Sequence, residues 1–217
     1  IAVDHGLTIS ENDYGDCFDG LLHFDEGKFH IYCNTSRSGD LGSPRARFTI
    51  SHELGHFFIP EHHRALRSGV APHHPSFCDR VNASSIVELE ADFFASRLLL
   101  PDFRFTPAIE GNGLHLAGVR KTASDFNTSL QSTLRRLEDS EFPCAFVWRN
   151  SNGKCWFRTS RALLRKGLHI NSTSCDSAPS DSATGLALSG DSAPSQIHKT
   201  IGLTSFWFSG VPAASVR

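Results

Sequence analysis

Apolar and polar positions along the chain fall into alternating and helical stretches, each bounded by turn residues. From Phe18 to Cys33, "FDGLLHFDEGKFHIYC" carries two apolar-rich runs on either side of Glu26-Gly27. A glycine free to take positive φ between such runs predicts a β-hairpin. A loop, "NTSRSGDLG", leads to Ser43-Pro44, an N-cap followed by proline at the first helical position. The helix opened there is expected to run to about Phe58, because Pro60 cannot continue it. A His- and Pro-rich loop is expected from there to about Ala83, followed by a second long helix over "SSIVELEADFFASRLLLP". Ser84 or Ser85 opens that helix and Pro101 closes it. After Gly113 two shorter helices, "LHLAGVRKTASDF" and "SLQSTLRRLED", meet at Asn127-Thr128, and Thr128-x-x-Gln131 has the form of a capping box.

The remainder alternates again. "CAFVWRNSNGKCWFRTS" predicts a hairpin turning at Asn152-Gly153. Residues 171–196 are Ser-rich and repeat "DSAPS" from Asp176 and from Asp191, which reads as low complexity. "IGLTSFWFSGV" is a short strand candidate. The predicted fold is α+β, with a small sheet packed on two long helices. The expected domains are residues 1–104, a helix-turn-helix-like helical module over 105–141, and a β-rich C-terminal region over 142–217.

Composition narrows the function classes. At 217 residues, 39% hydrophobic and 20% charged, the chain is an ordinary globular one, and a formal net charge of −2 gives no bulk attraction to a polyanion. No apolar run approaches the ~18 residues that would span a bilayer, so no membrane partner is expected. The N-terminal residues lack the basic start and apolar core of a signal peptide. The six cysteines contain no C-x-x-C pair. They are expected as free, mostly buried thiols, which suits a reducing cytoplasm.

Chemistry concentrates in "SPRARFTISHELGHFFIPEHH". His52-Glu53-Leu54-Gly55-His56 is H-E-x-x-H, and its histidines, four apart on a helix, project from one face and can reach one ion. Glu53 lies close enough to that face to contact an activated water while being poorly placed as a ligand. Two residues could complete the shell. His62 stands where H-E-x-x-H-x-x-G-x-x-H requires a third histidine, but Ile59 replaces the turning glycine and the chain has no methionine for a Met-turn. Glu88 is the better candidate. It begins E-x-x-x-D, so Asp92 shares its helix face and can hydrogen-bond the second nitrogen of a ligating histidine, whereas Glu90 faces away. The competing role for Glu88 is a capping box with Ser85. His62 and His63 are expected as solvated loop residues.

"RARFTISHELGHFF" together with "ELEADFFASRLLLP" resembles the ImmA/IrrE family of bacterial metallopeptidases, and the resemblance extends over roughly residues 20–160. It implies a zincin-like domain with His52, His56 and Glu88 as ligands and Glu53 as base. It also implies a cytosolic role, the site-specific cleavage of a helix-turn-helix transcriptional repressor that releases stress or mobile-element genes. Zn²⁺ is the expected ion, and a His₂Glu shell also admits Mn²⁺ or Fe²⁺. His73, His74, Tyr32 and Arg45 are candidates for a second donor to the developing oxyanion. Two other readings compete. "KTASDFNTSLQSTLRRL" has the look of a DNA-reading unit, with Ala123 and Phe126 inward and Ser129, Gln131, Ser132, Arg135 and Arg136 outward. A partner-binding protein with a structural or sensory metal is the other.

Overall fold

The hairpin forms as expected, and an additional strand precedes it. In the computed structural model, which describes residues 1–70, 74–76, 85–149, 155–170 and 208–209, β1 spans Thr8–Asn12, β2 Gly20–Asp25 and β3 Lys28–Asn34. The β2–β3 turn places Glu26 at φ 47° and Gly27 at φ 80°. Glycine takes that backbone freely, while a residue with a Cβ gives up about 1 kcal/mol for it. β1 pairs in parallel with β3, and β4 (His74–Ser76) pairs antiparallel with β2, giving the order β1-β3-β2-β4.

One face of this sheet makes the core. Leu22, Phe29 and Ile31 cluster with Ala2, Leu7 and Leu54, all buried. Each such aliphatic or aromatic side chain contributes about 1.5–3 kcal/mol relative to exposure. Alternation puts His23, His30 and Tyr32 on the opposite face.

A short helix, α1 (Thr35–Ser38), leads to α2 (Pro44–Phe58), which starts and stops as expected. The Ser43 hydroxyl accepts from the Ala46 N–H at 3.1 Å, a cap worth about 1 kcal/mol. Beyond α2 the loop expectation is corrected: Pro60 stops α2 and starts α3 (Pro60–Arg67). Proline at the first helical position loses no internal hydrogen bond, so one residue serves as both stop and start. α4 spans Ile86–Leu99 and α5 Asp102–Asn112. α5 was not expected, since Pro107 lies inside it and Gly111 near its end.

α6 (Leu116–Asp125) and α7 (Leu130–Glu138) are the two expected short helices. The cap of α7 is Ser129, whose hydroxyl accepts from the Ser132 N–H at 3.0 Å, and not Thr128. The Thr128 hydroxyl instead meets that of Thr133 at 2.9 Å. Ala123 and Phe126 are buried as expected, but Arg136 is only 1% exposed and does not face outward.

β5 (Ala145–Arg149) and β6 (Cys155–Thr159) pair antiparallel, α8 covers Arg161–Leu164, and β7 (His169–Ile170) pairs with β8 (Phe208–Ser209). The expected turn at Asn152-Gly153 and the Ser-rich stretch lie outside the described residues. The chain divides into two compact units, residues 1–113 with 120–133, and residues 114–119 with 134–217. The first holds the four-stranded sheet and α1 to α5. Among the described residues no helix is long and apolar enough to cross a membrane.

Candidate metal centre

α2 and α4 meet along a seam of small residues. A Cβ added at Gly55 would stand 3.0 Å from the Ala91 Cα and 3.1 Å from its carbonyl oxygen. A residue larger than glycine there would force the helices apart. Farther along, the Phe58 and Phe94 rings stack with centroids 5.8 Å apart. This close approach brings the carboxylates of α4 to the imidazoles of α2.

Three side chains converge. His52 Nε2 lies 3.1 Å from Glu88 Oε2 and 3.1 Å from His56 Nε2, and His56 Nε2 lies 3.4 Å from Glu88 Oε1. Ligands about 2.0–2.1 Å from one tetrahedral ion stand about 3.3 Å apart, so this triangle has the size of a single small cation. Among the described residues His52, His56 and Glu88 are the one group of this kind. Ser85 makes no side-chain cap bond, and the Glu88 carboxylate turns to the histidines. Asp92 Oδ1 sits 2.9 Å from His52 Nδ1.

The electrostatics follow from that geometry. Burial opposes charge on His52, but hydrogen bonds to Asp92 and Glu88 and the nearby Glu53 more than offset it, and the imidazole is pushed up to about 10. Burial likewise opposes charge on Glu88, yet hydrogen bonds from His52 and His56 hold its carboxyl far below the usual range. A site that collects this much negative charge around two imidazoles favours a cation.

Glu53 is fully buried. Its Oε1 accepts from the Ser76 hydroxyl at 2.5 Å, while its Oε2 is buried with no hydrogen-bond partner among the described residues. A buried carboxylate oxygen left without a donor calls for water or a ligand proton. Gly20 makes room for this arrangement, since a Cβ there would be 2.4 Å from Thr49 Cγ2 and 2.8 Å from Glu53 Oε1. The donor set, its spacing and the orphaned oxygen all fit a divalent ion with an adjoining water.

The chain belongs to the IrrE N-terminal-like peptidase family. The family model described as the IrrE N-terminal-like domain matches residues 6–138, which contain every residue just described. No curated protein shows significant similarity to the chain. In this peptidase-family domain a cavity of about 180 Å³ opens beside the centre, lined by the apolar Leu22, Ala65, Leu66 and Val87 and by Glu53, His56, Glu61 and His62.

Other candidates fall elsewhere. His62 is 6% exposed on α3 and is not solvated, because α3 turns it inward: Nδ1 lies 3.2 Å from His56 Nδ1 and Nε2 3.0 Å from Glu90 Oε2. Glu90 thus reaches the site's surroundings through His62. His63 is also packed, with Nδ1 2.9 Å from the Phe57 carbonyl and its ring on Phe29. Tyr32 is on the far face of the sheet, near the Tyr14 and His30 rings. Arg45 lies 3.3 Å from both oxygens of buried Asp19, which also accepts from Arg37 at 2.6 Å. The His73 and His74 side chains lie outside the described residues. Ser76 and Gly20 carry no sequence signal; Glu90 did, in the acidic rhythm of "ELEAD".

Proposed function

We propose that the protein is a zinc-dependent endopeptidase of the cytoplasm that cuts a helix-turn-helix transcriptional repressor at one site. The observation that carries this reading is the orphaned Glu53 Oε2 beside the His52–His56–Glu88 triangle. The repressor substrate rests on the resemblance of the two motifs to ImmA/IrrE proteins. His52, His56 and Glu88 hold the ion, which supplies Lewis acidity when bound, polarising a peptide carbonyl and making water a stronger acid. Glu53 takes the proton of the attacking water at Oε2 and delivers it to the leaving nitrogen. Ser76 pins Oε1, so one oxygen is held while the other works. The apolar cavity accepts an aliphatic side chain of the substrate next to the scissile bond.

The competing readings have less support. Of the three cations in "KTASDFNTSLQSTLRRL", Arg136 is buried and Lys121 is bound to Asp125 at 2.8 Å. A structural or sensory metal has no use for a buried base beside it.

The zinc-loaded full chain is to be incubated with helix-turn-helix repressors from its own genome and the fragments sized by mass spectrometry. A single cut is expected, reduced by at least about a hundredfold in Glu53→Gln with metal content kept. Binding of a repressor without any cut, by wild type and variant alike, would replace this reading with the partner-binding one.

A further inference from the structure

His56 is gripped at the nitrogen that points away from the triangle. Its Nδ1 meets His62 Nδ1 at 3.2 Å, and His62 Nε2 meets Glu90 Oε2 at 3.0 Å. The His56 and His62 rings lie 5.2 Å apart with planes inclined by 40°. A carboxylate can only accept, so the proton between His62 and Glu90 sits on His62 Nε2. With Nε2–H given to Glu90, His62 Nδ1 serves as the acceptor, and the donor to it is His56 Nδ1–H. Once an ion takes the place of the Nε2 proton that Glu88 otherwise accepts, this leaves the lone pair of His56 on Nε2, the atom that faces His52 and Glu88.

On the other side of the triangle His52 is held at the same ring atom by a shorter route, with its Nδ1 directly on Asp92 at 2.9 Å. Both histidines are therefore held at Nδ1, one by a carboxylate and one by an imidazole backed by a carboxylate. We propose that His62 and Glu90 are positioning residues, a two-member relay that fixes the tautomer and ring orientation of His56 and so tightens the hold of the site on its metal. The inference rests on the reading of His52, His56 and Glu88 as the ligands. His62 is a relay member and not a ligand: both of its nitrogens are engaged, by His56 and by Glu90.

The test uses the full chain loaded with Co²⁺, whose visible absorption reports ligand geometry, and competition with a chelator, which reports affinity. His62→Phe keeps a ring of similar size and removes the relay. It is expected to lower affinity about 10–100-fold and to shift the Co²⁺ bands. Glu90→Ala should lower affinity by about tenfold, and Glu90→Gln, whose amide oxygen still accepts from His62, should restore most of it. Glu90 is 53% exposed on its side chain, so these two variants fold and decide the matter even if His62→Phe does not. Unchanged spectra and affinities in His62→Phe and Glu90→Ala, with binding lost in Glu88→Ala, would overturn the relay and leave the ligand set standing. Binding that survives Glu88→Ala but is abolished by His62→Phe would make His62 a ligand and overturn both.

Discussion

α2 and α4 face each other across the candidate metal centre, yet they are built in opposite ways. α2 buries every side chain from Ser51 to His56. α4 buries only Ala91 and Ala95, and leaves Ile86, Leu89 and Phe93 at 70%, 51% and 49% exposure. The imidazoles and Glu53 are thus set in a packed interior, where neighbours fix each rotamer. The carboxylates of Glu88, Asp92 and Glu90 come from a helix whose grip on the domain rests on two alanines, Phe94 and Leu98. Rigidity on one side is matched by hydrogen bonds on the other, since all three carboxylates of α4 end on an α2 or α3 histidine.

The largest blow to this asymmetry falls on the seam. Gly55→Val drives a branched side chain into the Ala91 backbone, 3.0 Å from where its Cβ must sit. Overpacking of this kind costs about 1–3 kcal/mol. Chemical denaturation should report that loss, and metal analysis should find the site below stoichiometric filling because Glu88 is carried away. Normal metal content in Gly55→Val would mean that α4 positions its carboxylates without the seam.

A smaller effect is expected at the hydrogen-bonded side. Asp92→Ala removes the acceptor at His52 Nδ1 and should weaken metal binding by about 10–100-fold, with little change in thermal stability. Equal weakening from Asp92→Ala and Glu90→Ala would show that the direct and relayed carboxylates are equivalent; a larger effect at Asp92 would rank the direct contact first.

The smallest effect concerns the floor under α2. Burial, then the nearby Glu11, pushes the Cys33 thiol from 9.0 up to about 11. In the unfolded chain this thiol ionises near its ordinary value, so the folded state binds its proton over a higher pH range. Its contribution to stability is complete below about pH 9 and is lost as pH rises through about 11. Urea titrations between those values should steepen against pH for wild type relative to Cys33→Ala. At pH 8 a thiol reagent should label exposed Cys17 and spare Cys33.

Much of this was legible where a residue has one physical meaning. Ser43 and Pro44 open α2 because hydroxyl and ring each suit only that end of a helix, and Gly27 turns the hairpin because its φ is positive. The spacing of Glu88 and Asp92 put both on one face, and both meet His52. Legibility failed where a residue has two meanings or where partners are distant in the chain. Pro60 stops one helix and starts another, so His62 reads as loop until the turn inward is seen. β1 carries one apolar residue in five, and its place comes from pairing with β3. Ser76 belongs to a three-residue strand, and only the fold brings it under Glu53. Arg136 sits where helical spacing suggests solvent, and burial there follows from tertiary packing.

Ile59, extended at φ −74° and ψ 117°, is both the last cap of α2 and the first of α3. With a single residue between the helices, the angular offset from His56 to His62 is written into consecutive codons. Substitutions at Phe57 or Phe58 leave that offset alone, whereas one inserted residue turns His62 by about 100°. Over these few positions the number of residues, and not only their identity, decides where His62 points.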